Sequence, residues 1–310
     1  MLNWDRPMLT DSGGFQIFSL GHGGVANEIK GHRNTSIPKT LLKIDENGAI
    51  FRSYIDGQKR YLTPEISIDV QQKLGADIIL ALDECTPFHV KRSYTERSME
   101  RSHRWEMRSL QQFLQHNDHR QALYGIVQGG IFEDLRERSG TFIAEQDFFG
   151  QAIGGSLGET KAQMHDIVSV ACRYIDKFRP THLLGIGGIS DLWHGVAQGI
   201  DTFDCVHPTR LARHGGALIH PDKNDGKEFF NLKNARFQDD MSPIDEECNC
   251  YCCRNFTRAY LHYLFKAREM LGGQLLTIHN VAFMMRLVQE IRSAIKDGTF
   301  SQKAKYWESI

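Results

Sequence analysis

Two aspartates stand where a chain can carry out substitution at a sugar carbon. Asp204 ends an apolar run in "IDTFDCVHPTRLARHGG" (residues 200–216), and Arg210, Arg213 and His214 follow directly. A carboxylate so placed is either a helix cap or the working group of a site that an anionic partner reaches. Asp11, in "TDSGGFQ", precedes two glycines that let backbone come close to a ligand, and Phe15 adds a flat face. Asp83-Glu84 ends "IILALDE" and Gln128 ends "YGIVQG". Together they offer carboxylates and an amide to the edge of a purine-like ring. Two aspartates across a glycosidic carbon divide the labour, one attacking C1′ and one serving as acid/base for the leaving base. The second role needs a raised pKa, which burial supplies. Taken singly, each residue has a structural reading, since Asp caps helices, glycine makes turns and Phe is core. The functional reading rests on many polar groups converging on one rim.

A second cluster points to a metal. The seven cysteines are an odd number, and four crowd into "CNCYCC". The set Cys248-x-Cys250-x-x-Cys253, with His279 after "LLTI", offers three thiolates and one imidazole, a closed tetrahedral zinc set. Cys252 is spare. With no open coordination position, the zinc is expected to be structural, one per chain, with folding dependent on it.

These residues need elements to hold them. At 310 residues, 41% hydrophobic and a formal charge of −1, the chain can bury a large core, and any nucleic-acid contact must come from a local basic face. No long apolar run and no leader-like start is seen, which implies a cytosolic protein with no membrane partner. Six short apolar runs end in small or polar residues: "MLTDSGG", "DIILALDE", "ALYGIVQGG", "GQAIGG", "HLLGIGG" and "TFDCV". Each reads as a buried parallel strand running into a loop, with helical patterns between. One such helix opens at Thr63-Pro64-Glu65, carries Ile66, Val70 and Leu74 as its apolar stripe and stops at Gly75; another runs from Ser190 to Gly199. The alternation predicts an α/β fold, preferably a parallel barrel with Asp11, Asp83, Gln128, Glu159 and Asp204 at the C-terminal ends of strands. Residues 21–62 break the rhythm with Asn47-Gly48 and Asp56-Gly57 turns and read as hairpin strands over the barrel mouth. The boundaries are set at 1–235 for the barrel with this insertion and 236–310 for the cysteine cluster and helices at about 254–270 and 280–297. The basic stretch "KRSYTERSMERSHRWEMRS" reads as a solvated helix, with Glu96, Glu100 and Glu106 interleaving its charges.

The motifs "DSGGFQ", "DECTPF", "GIVQGG", "IGG" followed by "GE", "FDCVHPTR" and the Cys-x-Cys-x-x-Cys with its later His resemble, in order and spacing, the queuine tRNA-ribosyltransferases, or tRNA-guanine transglycosylases. The resemblance covers nearly the whole chain. It implies a modified (β/α)8 barrel with a C-terminal zinc-binding subdomain, and exchange of the wobble guanine of G-U-N anticodon tRNAs for a 7-deazaguanine base. By this resemblance Asp204 is the nucleophile on ribose C1′ and Asp11 the general acid/base. Asp83, Gln128 and the backbone around Gly154 and Gly155 hold the base, Phe15 stacks on it, and Arg210 and Arg213 read the flanking uridines. A homodimer is also implied.

Three departures from the family pattern carry expectations of their own. The chain starts only ten residues before Asp11, where family members carry a longer N-terminal stretch; this implies that the first barrel strands are lacking. "IGGSLGE" is one residue shorter than the usual bacterial form, which implies a larger pocket favouring whole queuine over its aminomethyl precursor. "GHGGVANEIKGHRNTSIPK" reads as an insertion, and His207 stands where an apolar residue is common. Two rival readings are weaker. An inactive transglycosylase-like subunit, binding RNA or a partner, would usually lack Asp204 or Asp11, and both are present. A zinc hydrolase fails because a three-thiolate, one-imidazole set leaves no site for water.

Overall fold

A computed structural model describes residues 3–22, 40–53, 55–116, 120–155 and 157–308. Residues 23–39 of the insertion read at 21–39 lie outside these residues, as does Ser156 of the shortened loop. In chain order the strands are β1 (Leu9–Thr10), β2 (Leu41–Asp45), β3 (Gly48–Arg52), β4 (Lys59–Leu62), β5 (Ile78–Leu80), β6 (Ala122–Val127), β7 (Gly150–Ile153), β8 (Thr181–Leu183), β9 (Thr202–Phe203), β10 (Gly216–Leu218) and β11 (Phe229–Asn231). The six apolar runs become one sheet of order β1-β5-β6-β7-β8-β9, with β1 through β8 paired in parallel. Among the described residues no pairing joins β1 to β9, so the curled sheet is a half-barrel rather than a closed one.

The chain forms two compact units. The first comprises residues 1–184 and 198–202, the second residues 185–197 and 203–310. Residue 235, where composition changes, lies inside the second. In the first unit, side chains alternate across the sheet as the pleat requires. Ile79, Leu123 and Val127 pack with Ile68, Leu110 and Phe113 on one face, while Leu80, Tyr124, Ile126 and Ala152 cluster on the other.

Helix Pro64–Leu74 starts and stops as its sequence dictates. Thr63 Oγ1 accepts from Ile66 N at 3.3 Å, and Gly75 adopts φ +75°. Its expected apolar face is wrong, however: Ile66, Val70 and Leu74 are exposed, and the buried face carries Ser67, Ile68 and Gln71. The reason is the short strand beside it. The Gln71 amide both donates to Leu80 O (2.9 Å) and accepts from Leu80 N (3.0 Å), satisfying backbone groups that a hydrocarbon would leave unpaired.

The 40–62 segment forms the antiparallel sheet β2-β3-β4, which packs Leu41, Ile44, Ala49 and Leu62 against Ile17, Leu82 and Trp105. Helix Arg92–His116 grips its first turn, Arg104 pairing with the Glu46 carboxylate at 2.8 Å and the Trp105 indole donating to Glu46 O at 2.9 Å. This helix is less solvated than its charges suggest. Glu96 and Glu100 pair with Arg138 at the surface, but Glu106 is fully buried and accepts from Ile126 N at 3.0 Å. Burial pushes its carboxyl well above the usual range.

In the second unit the expected 254–270 helix is two, Tyr251–Asn255 and Arg258–Lys266, because Thr257 caps a new start by accepting from Tyr260 N at 3.2 Å. The last long helix begins at Met270, not near residue 280, and runs to Lys296. "LLTI" is therefore helical, and Gly272 earns its place by approaching Leu264, whose Cβ would lie 3.1 Å from an added methyl. Among the described residues no helix is long and apolar enough to cross a membrane.

Candidate functional site

The sheet register gathers the polar residues of the first unit. Val127 lies opposite Ile153, so Gln128 and Gly154 are the next residues past adjacent strand ends, and Asp83 follows β5 on the other side of β6. The contacts are direct. Gln128 Nε2 donates to Asp83 Oδ2 at 2.5 Å, and Ser12 Oγ reaches Asp83 Oδ1 at 3.5 Å. A Cβ on Gly14 would stand 2.1 Å from Asp83 Oδ1, and one on Gly155, at φ +75°, would stand 2.4 Å from Gln128 Oε1. Glycine is thus required at both places by close approach. Burial, with the Asp11 charge added, pushes the Asp83 carboxyl up to about 7. Asp11 sits on the exposed rim of the same loop, its Oδ1 accepting from Ser12 N at 2.8 Å. Phe15, 45% exposed, stacks on Phe18 with centroids 5.8 Å apart. Asp83, Gln128, Gly154 and Gly155 therefore come together with the Ser12–Gly14 backbone, and Asp11 and Phe15 flank that stretch in the chain.

Several residues that hold this cradle escaped the sequence reading. Ser139 Oγ accepts from Gln128 N at 2.9 Å and meets His103 Nε2 at 3.0 Å. Arg136 is fully buried, and burial pulls its guanidinium down to about 9. In "EDLRERSGTF" it reads as one more helix charge; only its spacing of three from Ser139, beside Gly140, hints at an inward face. Glu84 is buried as well, but it serves the helix: Tyr94 OH donates to its Oε1 at 2.7 Å and Arg101 Nη1 to its Oε2 at 2.5 Å. Glu159, the remaining strand-end acid, is exposed, and its N–H donates to Gln163 Oε1 at 3.0 Å.

In the second unit, the Asp204 carboxylate is exposed and oriented by Gly185 N, which donates to Oδ1 at 2.8 Å. Helix His207–Arg213 follows with Pro208 in its first turn, and Arg210 and Arg213 are exposed on one side of its last turn. Asn280 fastens this helix: its buried amide donates to Pro208 O (3.0 Å) and Gly216 O (2.9 Å) and accepts from Leu218 N (2.9 Å).

One residue earlier on the same helix, His279 joins the cysteines. Its Nε2 lies 2.7 Å from Leu218 O, which makes Nε2 the protonated nitrogen and turns Nδ1 to Cys253 Sγ at 3.2 Å and Cys250 Sγ at 3.9 Å. The four ligand atoms of Cys248, Cys250, Cys253 and His279 lie within 4.8 Å of one another and can hold a metal ion. Cys252, the spare, is buried in the adjoining core with Leu261 and Leu276.

The chain matches the family described as queuine tRNA-ribosyltransferase over residues 1–309. It is 48% identical to the queuine tRNA-ribosyltransferase of Roseiflexus sp., aligning over 100% of this chain and 79% of the relative. The proteins of the same name from Natranaerobius thermophilus (45%) and Synechococcus elongatus (44%) align over 96% and 99% of this chain and 74% and 73% of their own lengths. Matched length and identity lead to one conclusion: the chain belongs to the queuine tRNA-ribosyltransferase family of pentosyltransferases.

Proposed function

We propose that the chain exchanges the wobble guanine of G-U-N anticodon tRNAs for a 7-deazaguanine base through a covalent enzyme–ribose intermediate. The observation that carries this reading is the meeting of Asp83, Gln128, Gly154 and Gly155 at adjacent strand ends, with Gln128 Nε2 donating to the buried Asp83 carboxylate at 2.5 Å and Gly155 closely approaching Gln128 Oε1. An Asp204 carboxylate oxygen attacks ribose C1′ and the C1′–N9 bond breaks, its electron pair passing to guanine N9. Asp11 supplies the proton to that nitrogen, then takes the corresponding proton from the incoming base as its nitrogen attacks C1′ and expels Asp204. Phe15 stacks on the extruded base, as proteins commonly read RNA loops. Residues 1–235 carry the chemistry and residues 236–310 the metal-bound support.

A purine edge offers adjacent N–H donors, and only the ionised Asp83 carboxylate accepts with both of its oxygens. Its carboxyl titrates at about 7 before the base arrives. Below that pH the ionised fraction falls about tenfold per unit, and KM for the base is expected to rise in proportion while KM for tRNA holds. Initial rates from pH 5 to 8, with queuine and with its aminomethyl precursor, check this. A base KM that stays flat across that range refutes the assignment.

Arg210 and Arg213 are assigned to the anticodon loop and its phosphates. Replacing both by Ala should raise KM for tRNA at least about tenfold and shallow the salt dependence of binding by about two phosphate contacts. Unchanged slopes in filter-binding titrations would place the RNA elsewhere.

The metal is assigned as zinc, since a closed three-thiolate, one-imidazole set suits that ion and leaves no position for water. When bound it supplies structure only. The exposed aromatics Tyr251, Tyr260 and Tyr263, with Phe256 stacked on Tyr260 at 5.5 Å, support a homodimer. With tRNA as its substrate, the enzyme is assigned to the cytoplasm.

A further inference from the structure

Arg136, in helix Glu133–Glu145, reaches both loops that carry the base-binding groups. Its Nε donates to Gly130 O at 2.8 Å, and its Nη1 donates to Val127 O and to Gly154 O, both at 2.9 Å. Val127 and Gly130 bracket Gln128 in the loop after β6, and Gly154 precedes Gly155 in the loop after β7. Burying a guanidinium is costly unless its donors are matched. Here the planar fork matches them with carbonyls that an apolar side chain would leave unserved. An ammonium, with its three donors on one atom, cannot span the same set.

The consequence lies in the peptide planes. None of the described peptides is cis, and in a trans peptide the C=O and N–H point in opposite directions. With Gly154 O held by Arg136, the Gly155 N–H is turned away from the guanidinium. Gly129 shows how closely the helix approaches: an added Cβ there would stand 2.7 Å from Arg136 N. Ser139, one turn on, holds Gln128 N from the same helix face.

We propose that Arg136 is the positioning residue that locks the β6 loop to the β7 loop and so sets the spacing between the Gln128 amide and the Gly155 N–H against the base. This rests on the base-binding assignment made above. The test is steady-state exchange by the full chain with Arg136→Lys and, in parallel, Gln128→Ala, reading kcat, KM for the base, KM for tRNA and the melting midpoint. Arg136→Lys is expected to raise the base KM at least about tenfold, with kcat and the tRNA KM within about twofold. Gln128→Ala should also raise the base KM. A merely structural role would lower the active fraction, cutting kcat and leaving both KM values alone. That outcome, or an unchanged base KM in a folded Arg136→Lys protein while Gln128→Ala still raises it, overturns the proposal and leaves the base-binding assignment standing. An unchanged base KM in Gln128→Ala removes the assignment itself. If Arg136→Lys does not fold, Arg136→Gln retains an amide donor without a buried charge and is read the same way. Failure of both to fold shows a general structural role and also overturns the proposal.

Discussion

Asp204→Asn will lose base exchange by at least about 10⁴-fold in kcat, the scale on which removal of a covalent nucleophile is felt. The amide is nearly isosteric, and its oxygen can still accept from Gly185 N, so the loop and the melting midpoint should be unchanged. What disappears is the anionic oxygen to which the attack on C1′ is assigned. Label release from tRNA carrying radioactive guanine at the wobble position measures the rate, and a denaturing gel shows whether protein–tRNA adduct forms. Asp11→Asn should be milder, about 10²–10⁴-fold, because it removes proton transfer while leaving the nucleophile. Adduct formation or exchange within tenfold of the parent in the Asp204 variant would end the assignment.

Removing the metal is expected to destabilise the second unit. Cys248, Cys252 and Cys253 lie in the same core as Phe230, Leu261 and Leu276, and His279 ties the cysteine turn to helix Met270–Lys296 and to β10 through Leu218 O. Structural zinc in small peptides contributes about 10–16 kcal/mol; within a preformed core a loss of about 5 kcal/mol is the expected order. That corresponds to a fall of ~10–20 °C in the melting midpoint. Because Asn280, beside His279, fastens the helix that carries Arg210 and Arg213, tRNA binding should fall with it. Chelation or Cys253→Ala, followed by zinc stoichiometry, calorimetry and tRNA titration, checks this. A chain that melts unchanged after complete zinc removal would show that the cluster contributes nothing to folding.

The parallel strands were readable because a buried strand must be apolar along its run and must end where polar residues begin. "ALYGIVQGG" announces both β6 and its loop. Thr63, Pro64 and Gly75 announced a helix because a cap satisfies backbone groups within a few residues of itself. The same local logic misplaced that helix's buried face. Ile66, Val70 and Leu74 form a regular stripe, yet Gln71 turns inward because Leu80, a strand away, needs an amide. Glu106 reads as a solvated charge, and Arg136 goes unremarked, for the same reason. Nothing adjacent in sequence distinguishes them from Glu100 and Arg138, which do sit at the surface.

What the sequence by itself determined is the chemistry available: two aspartates, an amide, a stacking ring, two arginines and a thiolate–imidazole set, each in a motif whose spacing reports local backbone needs. What only the tertiary structure decided is which charges are buried and what they serve. Arg136 donates to the carbonyls of Val127, Gly130 and Gly154, and burial pushes the Asp83 carboxyl up to about 7, because burial and partner geometry depend on groups brought together from distant strands. Such pairings are set by sheet register and helix approach, which no short window of sequence contains.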